Sequence, residues 1–237
     1  MTARRDSIVA RSRTWLAAAP PALPPPVPML VVGVASFALF AALAVVVARG
    51  QVPRLDSATV HLANYHHHSA ALRNVFRVVG EAGSATGTLL IIGVALVGLA
   101  TARQPRSALF LVLAVACSAA NPLLKDAFHR GPPPGVRWLP PEVGFFPSGH
   151  AVGSMAVAAA VVTLAWKTRL RTAALAAAII LVVAVGLSAV LLGDHWPSDV
   201  VGGWALSLGW VLCVSSAAAA WIRRRPAAAR PASMPVP

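Results

Sequence analysis

Two histidines of this 237-residue chain stand beside long apolar runs, each in polar company. His150 closes the tetrapeptide Pro147-Ser148-Gly149-His150, and His195 is followed four residues later by Asp199. Ser148 and Gly149 ahead of a helical run would present free backbone N–H groups and the positive end of the helix dipole, a combination that favours a bound anion such as phosphate. Residues four apart share a helix face, so the Asp199 carboxylate is suited to fix the tautomer of His195 and to support its positive charge. Upstream, Lys125 and Arg130 add cationic charge. Two imidazoles, one backed by a carboxylate, beside an anion cradle and a lysine fit phosphoryl transfer.

These residues need a scaffold, and the composition indicates which kind. Hydrophobic residues make up 57% of the chain and charged residues only 11%, against roughly a quarter charged in soluble domains. Uncharged runs occupy about 29–48, 86–102, 107–124, 151–166, 173–193 and 200–222. Runs this clean can cross a bilayer. The sequence therefore predicts an all-α fold, a bundle of six transmembrane helices. The first run, with no small-residue cleavage site after it, reads as a retained span. Between spans one and two, Leu72, Val75, Phe76 and Val79 recur at helical spacing while Arg73, Arg77 and Glu81 share another face. This predicts an interfacial amphipathic helix, with Arg77 and Glu81 paired at i,i+4. Residues 1–28, rich in Arg and Pro, and 223–237, basic and rich in Pro and Ala, read as disordered cytoplasmic tails around a membrane domain at 29–222.

A formal net charge of +13 would suggest a nucleic-acid partner for a soluble chain. Here the charge resolves into topology. With a cytoplasmic N-terminus and six spans, both termini are cytoplasmic, and all Lys and Arg fall on that side except Arg49, Arg54, Arg73, Arg77, Lys125, Arg130 and Arg137. That bias satisfies the positive-inside rule. No nucleic acid is expected as a partner, and the membrane is. All seven histidines and every acid but Asp6 lie on the opposite face, so an active site belongs there. Cys117 and Cys213 lack metal-ligand or disulfide spacing and read as small buried hydrophobes. His66, His67 and His68 point about 100° apart on a helix and cannot all reach one ion; they read as a solvated interfacial patch. Phe145 and Phe146 read as packing or interface residues, and the Arg223 to Arg225 run as a membrane anchor.

In its motifs the chain resembles the type 2 phosphatidic acid phosphatases, integral membrane lipid phosphatases that share an active-site pattern with vanadium haloperoxidases. That family carries Lys, six residues and Arg-Pro; then Pro-Ser-Gly-His; then Ser-Arg, five residues, His, three residues and Asp. The second motif is matched by Pro147, Ser148, Gly149 and His150, and the third by Ser188, His195 and Asp199. Lys125 and Pro133 match the first. Two positions depart: Pro132 and Ala189 stand where the family has arginines that hold phosphate oxygens, contacts that neither residue can imitate.

The resemblance implies a lipid phosphatase acting on a phosphate monoester or diphosphate, with no metal and no cofactor. His195 would be the nucleophile, Asp199 its orienting partner, and His150 the general acid and then base. Lys125, Ser148, Gly149 and Ser188 would bind phosphate, joined by Arg130, which lies two residues before the vacant position at Pro132. Alternatively Arg130 is a loop residue paired with Asp126 at i,i+4. The two substituted arginines leave open a relative that binds or moves lipid without catalysis, and the same phosphohistidine would also serve a lipid phosphotransferase.

Overall fold

Among the described residues of the computed structural model (23–59, 69–134 and 144–224) every regular element is helical, with no strand. The first long helix, α1 (Pro26–Ala48), begins three residues ahead of the apolar run, because the fixed φ and missing N–H of proline suit the first turn of a helix. There follow α2 (Arg54–Thr59), α3 (Ala70–Glu81), α4 (Ala85–Thr101) and α5 (Pro105–Val115). A 3₁₀ segment (Ala116–Ala120) joins α5 to α6 (Asn121–Phe128), and α7 (Gly149–Ala165), α8 (Arg171–Leu191) and α9 (Pro197–Arg224) complete the order. His61, His66, His67, His68 and Arg137, and the tails before residue 23 and after 224, lie outside the described residues.

Four stretches are long and apolar enough to cross a membrane: α1, Pro105–Phe128, α8 and Pro197–Arg223. The pair α3 and α4, bent by 49° at the break between them, makes a fifth if the two form one span. The sequence predicts six. The shortfall lies at α7, whose 17 residues extend about 26 Å at helical rise, less than the roughly 30 Å hydrocarbon core. This helix is instead the most enclosed. Ala151, Ala156 and Ala160 are fully buried, and the last two pack in one cluster with Leu111, Ala114, Cys117 and Val211. Buried hydroxyls return to their own helices: Ser154 Oγ donates to the His150 carbonyl at 2.7 Å and Thr163 Oγ1 to that of Ala159 at 2.7 Å, which spares them an unpaired polar group in apolar surroundings.

Helices α1 and α9 cross at small residues. A Cβ on Gly209 would lie 3.1 Å from the Gly33 carbonyl oxygen, and one on Gly33 would lie 3.0 Å from Cys213 Sγ, the close backbone approach typical of helices packed in lipid. Both cysteines are free, and Cys117 is buried with its Sγ 3.7 Å from Ser207 Oγ. Between α1, α7, α8 and α9 lies an apolar cavity of about 590 Å³ lined by Val32, Met155, Val182, Trp204 and Leu208, among others.

Helix α3 forms where the periodicity predicts it, capped by Ser69, whose Oγ accepts from Leu72 N. Its Arg77 donates to Asn74 Oδ1 at 3.1 Å, and the Arg77–Glu81 pair suggested by their spacing is absent from the ion pairs of the described residues. The helix ends at Glu81, where the chain turns sharply. A Cβ on Gly87 would come within 2.0 Å of the Glu81 carbonyl oxygen, so only glycine fits that corner.

Candidate active site

The two histidine segments meet because their backbones are tied together. Ser148 caps α7, its Oγ accepting from Ala151 N at 3.4 Å, while its own N–H donates to the Asp199 carbonyl at 3.0 Å. A Cβ on Gly203 would stand 2.8 Å from the Ser148 carbonyl oxygen, so this glycine lets α9 approach the turn. The two phenylalanines ahead of the turn anchor it. Phe146 is fully buried, stacked on Phe40 at 5.7 Å and edge-on to Phe128 at 5.0 Å, and Phe145 meets the His195 ring edge-on at 5.7 Å.

Between α8 and α9 the chain reverses in a few residues, with Gly193 at φ +76°, a region open to glycine at little cost. The Ala189 carbonyl accepts from both Asp194 N at 2.9 Å and His195 N at 3.1 Å, which fixes the direction in which His195 leaves the turn. Asp199 closes the first turn of α9 by accepting from Trp196 N on Oδ2 at 3.0 Å. The same oxygen is 3.5 Å from His195 Nδ1, an ion-pair distance, and the rings of His150 and His195 lie 6.2 Å apart. Nδ1 faces the carboxylate at 3.5 Å without a hydrogen bond, which leaves Nε2 as the nitrogen for chemistry. Lys125 is close enough to both Asp199 and His150 to act on them electrostatically.

Arg130 reaches into this centre from the segment after α6. One terminal nitrogen donates to Asp199 Oδ1 and, at 2.7 Å, to Ser198 Oγ; the other donates to Asp56 Oδ2 at 2.5 Å. Asp56, on α2, also accepts from the Ser198 amide at 2.8 Å and the Ser198 hydroxyl at 2.6 Å. The Arg130 side chain is only 9% exposed and both carboxylates are fully buried. Its partners are thus Asp199 and Asp56, and not Asp126 in its own segment. The guanidinium fork faces carboxylates, a bidentate use that lysine could not reproduce. Its plane lies over Trp196, 5.4 Å from the ring centre, and Trp196 Nε1 donates to the Gly131 carbonyl at 3.1 Å.

Of the residues singled out from sequence, His150, His195, Asp199, Lys125, Arg130, Ser148 and Gly149 come together at one end of the bundle. Ser188 is buried in α8 with its Oγ donating to the Val185 carbonyl at 2.8 Å. Asp194 adds a half-buried carboxyl beside His195, one oxygen of which has no hydrogen-bond partner; burial pushes it above the usual carboxylate range, against the pull of His195 and Arg77. Asp56 and Ser198 were not singled out by spacing. Asp56 contacts Ser198 across 142 positions and Arg130 across 74, so the one signal available was an isolated acid in an apolar chain.

Residues 106–223 match the family model of the PAP2 superfamily. No curated protein matches the chain significantly. Among solved structures the chain is similar to the crystal structure of the first transmembrane PAP2 type phosphatidylglycerolphosphate phosphatase from Bacillus subtilis. The two share 23% identity with a TM-score of 0.69, over 81% of this chain and 98% of that one. That likeness carries the fold.

Proposed function

The chain belongs to the PAP2 superfamily and is an integral membrane protein, and from that premise we propose that it is a lipid phosphatase working through a phosphohistidine. The observation that carries the reading is the pairing of His150 and His195, 6.2 Å apart, with Asp199 behind one of them and Lys125 nearby. His195 Nε2 forms a bond to phosphorus as the bond from phosphorus to the lipid oxygen breaks, and His150 gives that oxygen a proton. His150 then takes a proton from water as the water oxygen attacks phosphorus and the N–P bond breaks, which releases phosphate and restores His195. Asp199 faces Nδ1 at 3.5 Å and supports the positive imidazolium that forms. Lys125 and the N–H groups of Gly149 and His150 at the start of α7 meet the charge on the phosphoryl oxygens, the Ser148 N–H being held by the Asp199 carbonyl.

Arg130, with its fork on two carboxylates, acts in this reading behind Asp199 by holding it in place, and not on the phosphate. The substrate is a lipid phosphate monoester or diphosphate. In this reading the membrane is crossed six times, by α1, α4, α5 with α6, the short and helix-enclosed α7, α8 and α9, with both termini in the cytoplasm, the site on the far face and α3 along the outer interface. The Lys and Arg distribution supports that orientation.

The test is phosphate release from phosphatidate, phosphatidylglycerophosphate and a polyprenyl diphosphate by purified wild type and His195→Ala. The expected result is release from at least one of them by wild type alone. Equal release by both would sink the mechanism. A second reading, a non-catalytic lipid binder, draws on Pro132, Ala189 and the commitment of Arg130 to carboxylates; lipid binding without phosphate release would favour it.

A further inference from the structure

Helix α3 lies antiparallel along α8, and two glycines record the register. A Cβ on Gly83 would come within 2.4 Å of Val185 Cγ1 and 3.0 Å of the His150 carbonyl oxygen; one on Gly80 would be 3.3 Å from Ser188 Oγ. Three residues back along α3 correspond to three residues forward along α8. Extended by one step, this register brings the turn that holds Phe76 and Arg77 level with Leu191, the last residue of α8, where the chain turns into Asp194 and His195; Phe76 is the half-buried residue of that turn and Arg77 the exposed one. The electrostatics agree with this register. Arg77 is near enough to Asp194, and Glu81, one turn further on, is near enough to His150, for its charge to be felt there. Arg77 and Glu81 thus stand on the exposed side of α3, beside the mouth of the site, while Phe76, Gly80 and Gly83 face the bundle.

On that side the site has a deficit of positive charge. The last turn of α8 contributes Ala189 and the α8–α9 turn the acid Asp194, both unsuited to an incoming phosphate, and Arg130 is held by Asp56 and Asp199. Charge on the oxygens of a transferring phosphoryl group needs donors on more than one side. Lys125 approaches from α6. The geometry points to Arg77 as the cation that meets the substrate phosphate from the α3 side, a binding residue outside all three sequence motifs. Its guanidinium is exposed and held by Asn74 at 3.1 Å, so it is oriented yet open to an anion. The assignment rests on the phosphatase reading for its substrate, and on the α3–α8 register for its geometry.

Two measurements on the full-length protein in detergent test it. The first is phosphate release by wild type, Arg77→Ala, Arg77→Lys, Asp194→Asn, Arg77→Ala/Asp194→Asn and Arg77→Ala/Ala189→Arg. Loss of a charge-assisted contact predicts a fall in kcat/KM of about 10- to 100-fold in Arg77→Ala, partial recovery with lysine or with Ala189→Arg, and persistence of the loss in the Asp194→Asn background. Activity unchanged in Arg77→Ala, or a loss that disappears once Asp194 is neutral, would overturn the proposal, since Arg77 would then serve only to offset Asp194. The second is binding of a short-chain phosphatidate to His195→Ala, which does not depend on turnover. Weaker binding when Arg77→Ala is added supports the assignment even if wild type hydrolyses nothing. Equal binding refutes it even if wild type is a phosphatase.

Discussion

Arg130 and Asp199 form an ion pair inside the protein across 69 positions of sequence. The pair is one half of a fork, since the other terminal nitrogen of Arg130 holds Asp56. The carboxylate behind His195 is thus fixed from three elements: the segment after α6, the start of α9, and, through Asp56, the short α2.

Removing Asp56 leaves Arg130 partly unpaired and the Ser198 amide without its acceptor. Breaking a buried ion pair from one side costs about 3–5 kcal/mol. Asp56→Ala should accordingly lower the melting temperature in detergent and reduce activity, although Asp56 does not touch the substrate in the proposed mechanism. A variant as stable as wild type would show that the fork is dispensable.

His150→Ala removes the acid and base while leaving the nucleophile, and kcat should fall on the order of 10²–10⁴-fold. The remaining activity should recover with substrates whose leaving group needs no protonation, such as a nitrophenyl phosphate ester. Equal losses on both substrate types would argue against the assigned role.

Gly203 permits the approach of α9 to the Ser148 turn. Its replacement by alanine puts a methyl 2.8 Å from both the Ser148 carbonyl oxygen and the Ala151 Cβ, so the two histidine segments must separate slightly. Displacements of about 1 Å can cost 10²-fold in rate. Gly203→Ala should lose activity on that scale, with a smaller effect on thermal unfolding, measured on the same preparation.

Burial raises the Asp194 carboxyl, with His195 and Arg77 pulling the other way. The folded protein therefore binds this proton more tightly than the unfolded chain. The stabilisation is complete below the ordinary carboxylate pKa and is lost as the pH rises through the raised one. Melting temperature should fall over that window, and Asp194→Asn should flatten the fall and melt higher than wild type at neutral pH. Parallel profiles for the two proteins would show that the carboxyl is well hydrated.

The helices were legible in the sequence because each is a local fact. Uncharged runs and the Leu72, Val75, Phe76, Val79 spacing need only neighbours within a turn or a bilayer thickness to be read, and α3, α8 and α9 lie where they predict. The count of crossings was less so. Length and apolarity together admit four or five spans among the described residues, and α7 is short because it is enclosed by other helices and not by lipid.

The sequence by itself also determined the chemical inventory: which imidazoles, carboxylates and cations exist, and that His195 and Asp199 share a helix face. It did not determine who pairs with whom. Arg130 is free by spacing for phosphate or for Asp126, yet it turns to Asp199 and Asp56, and Arg77 is by spacing half of a surface pair with Glu81, yet its hydrogen bond goes to Asn74. The physical reason is range. Helical periodicity acts over three or four residues, whereas a buried charge takes whichever opposite charge packing brings within a few ångströms, and only the tertiary structure decides which that is.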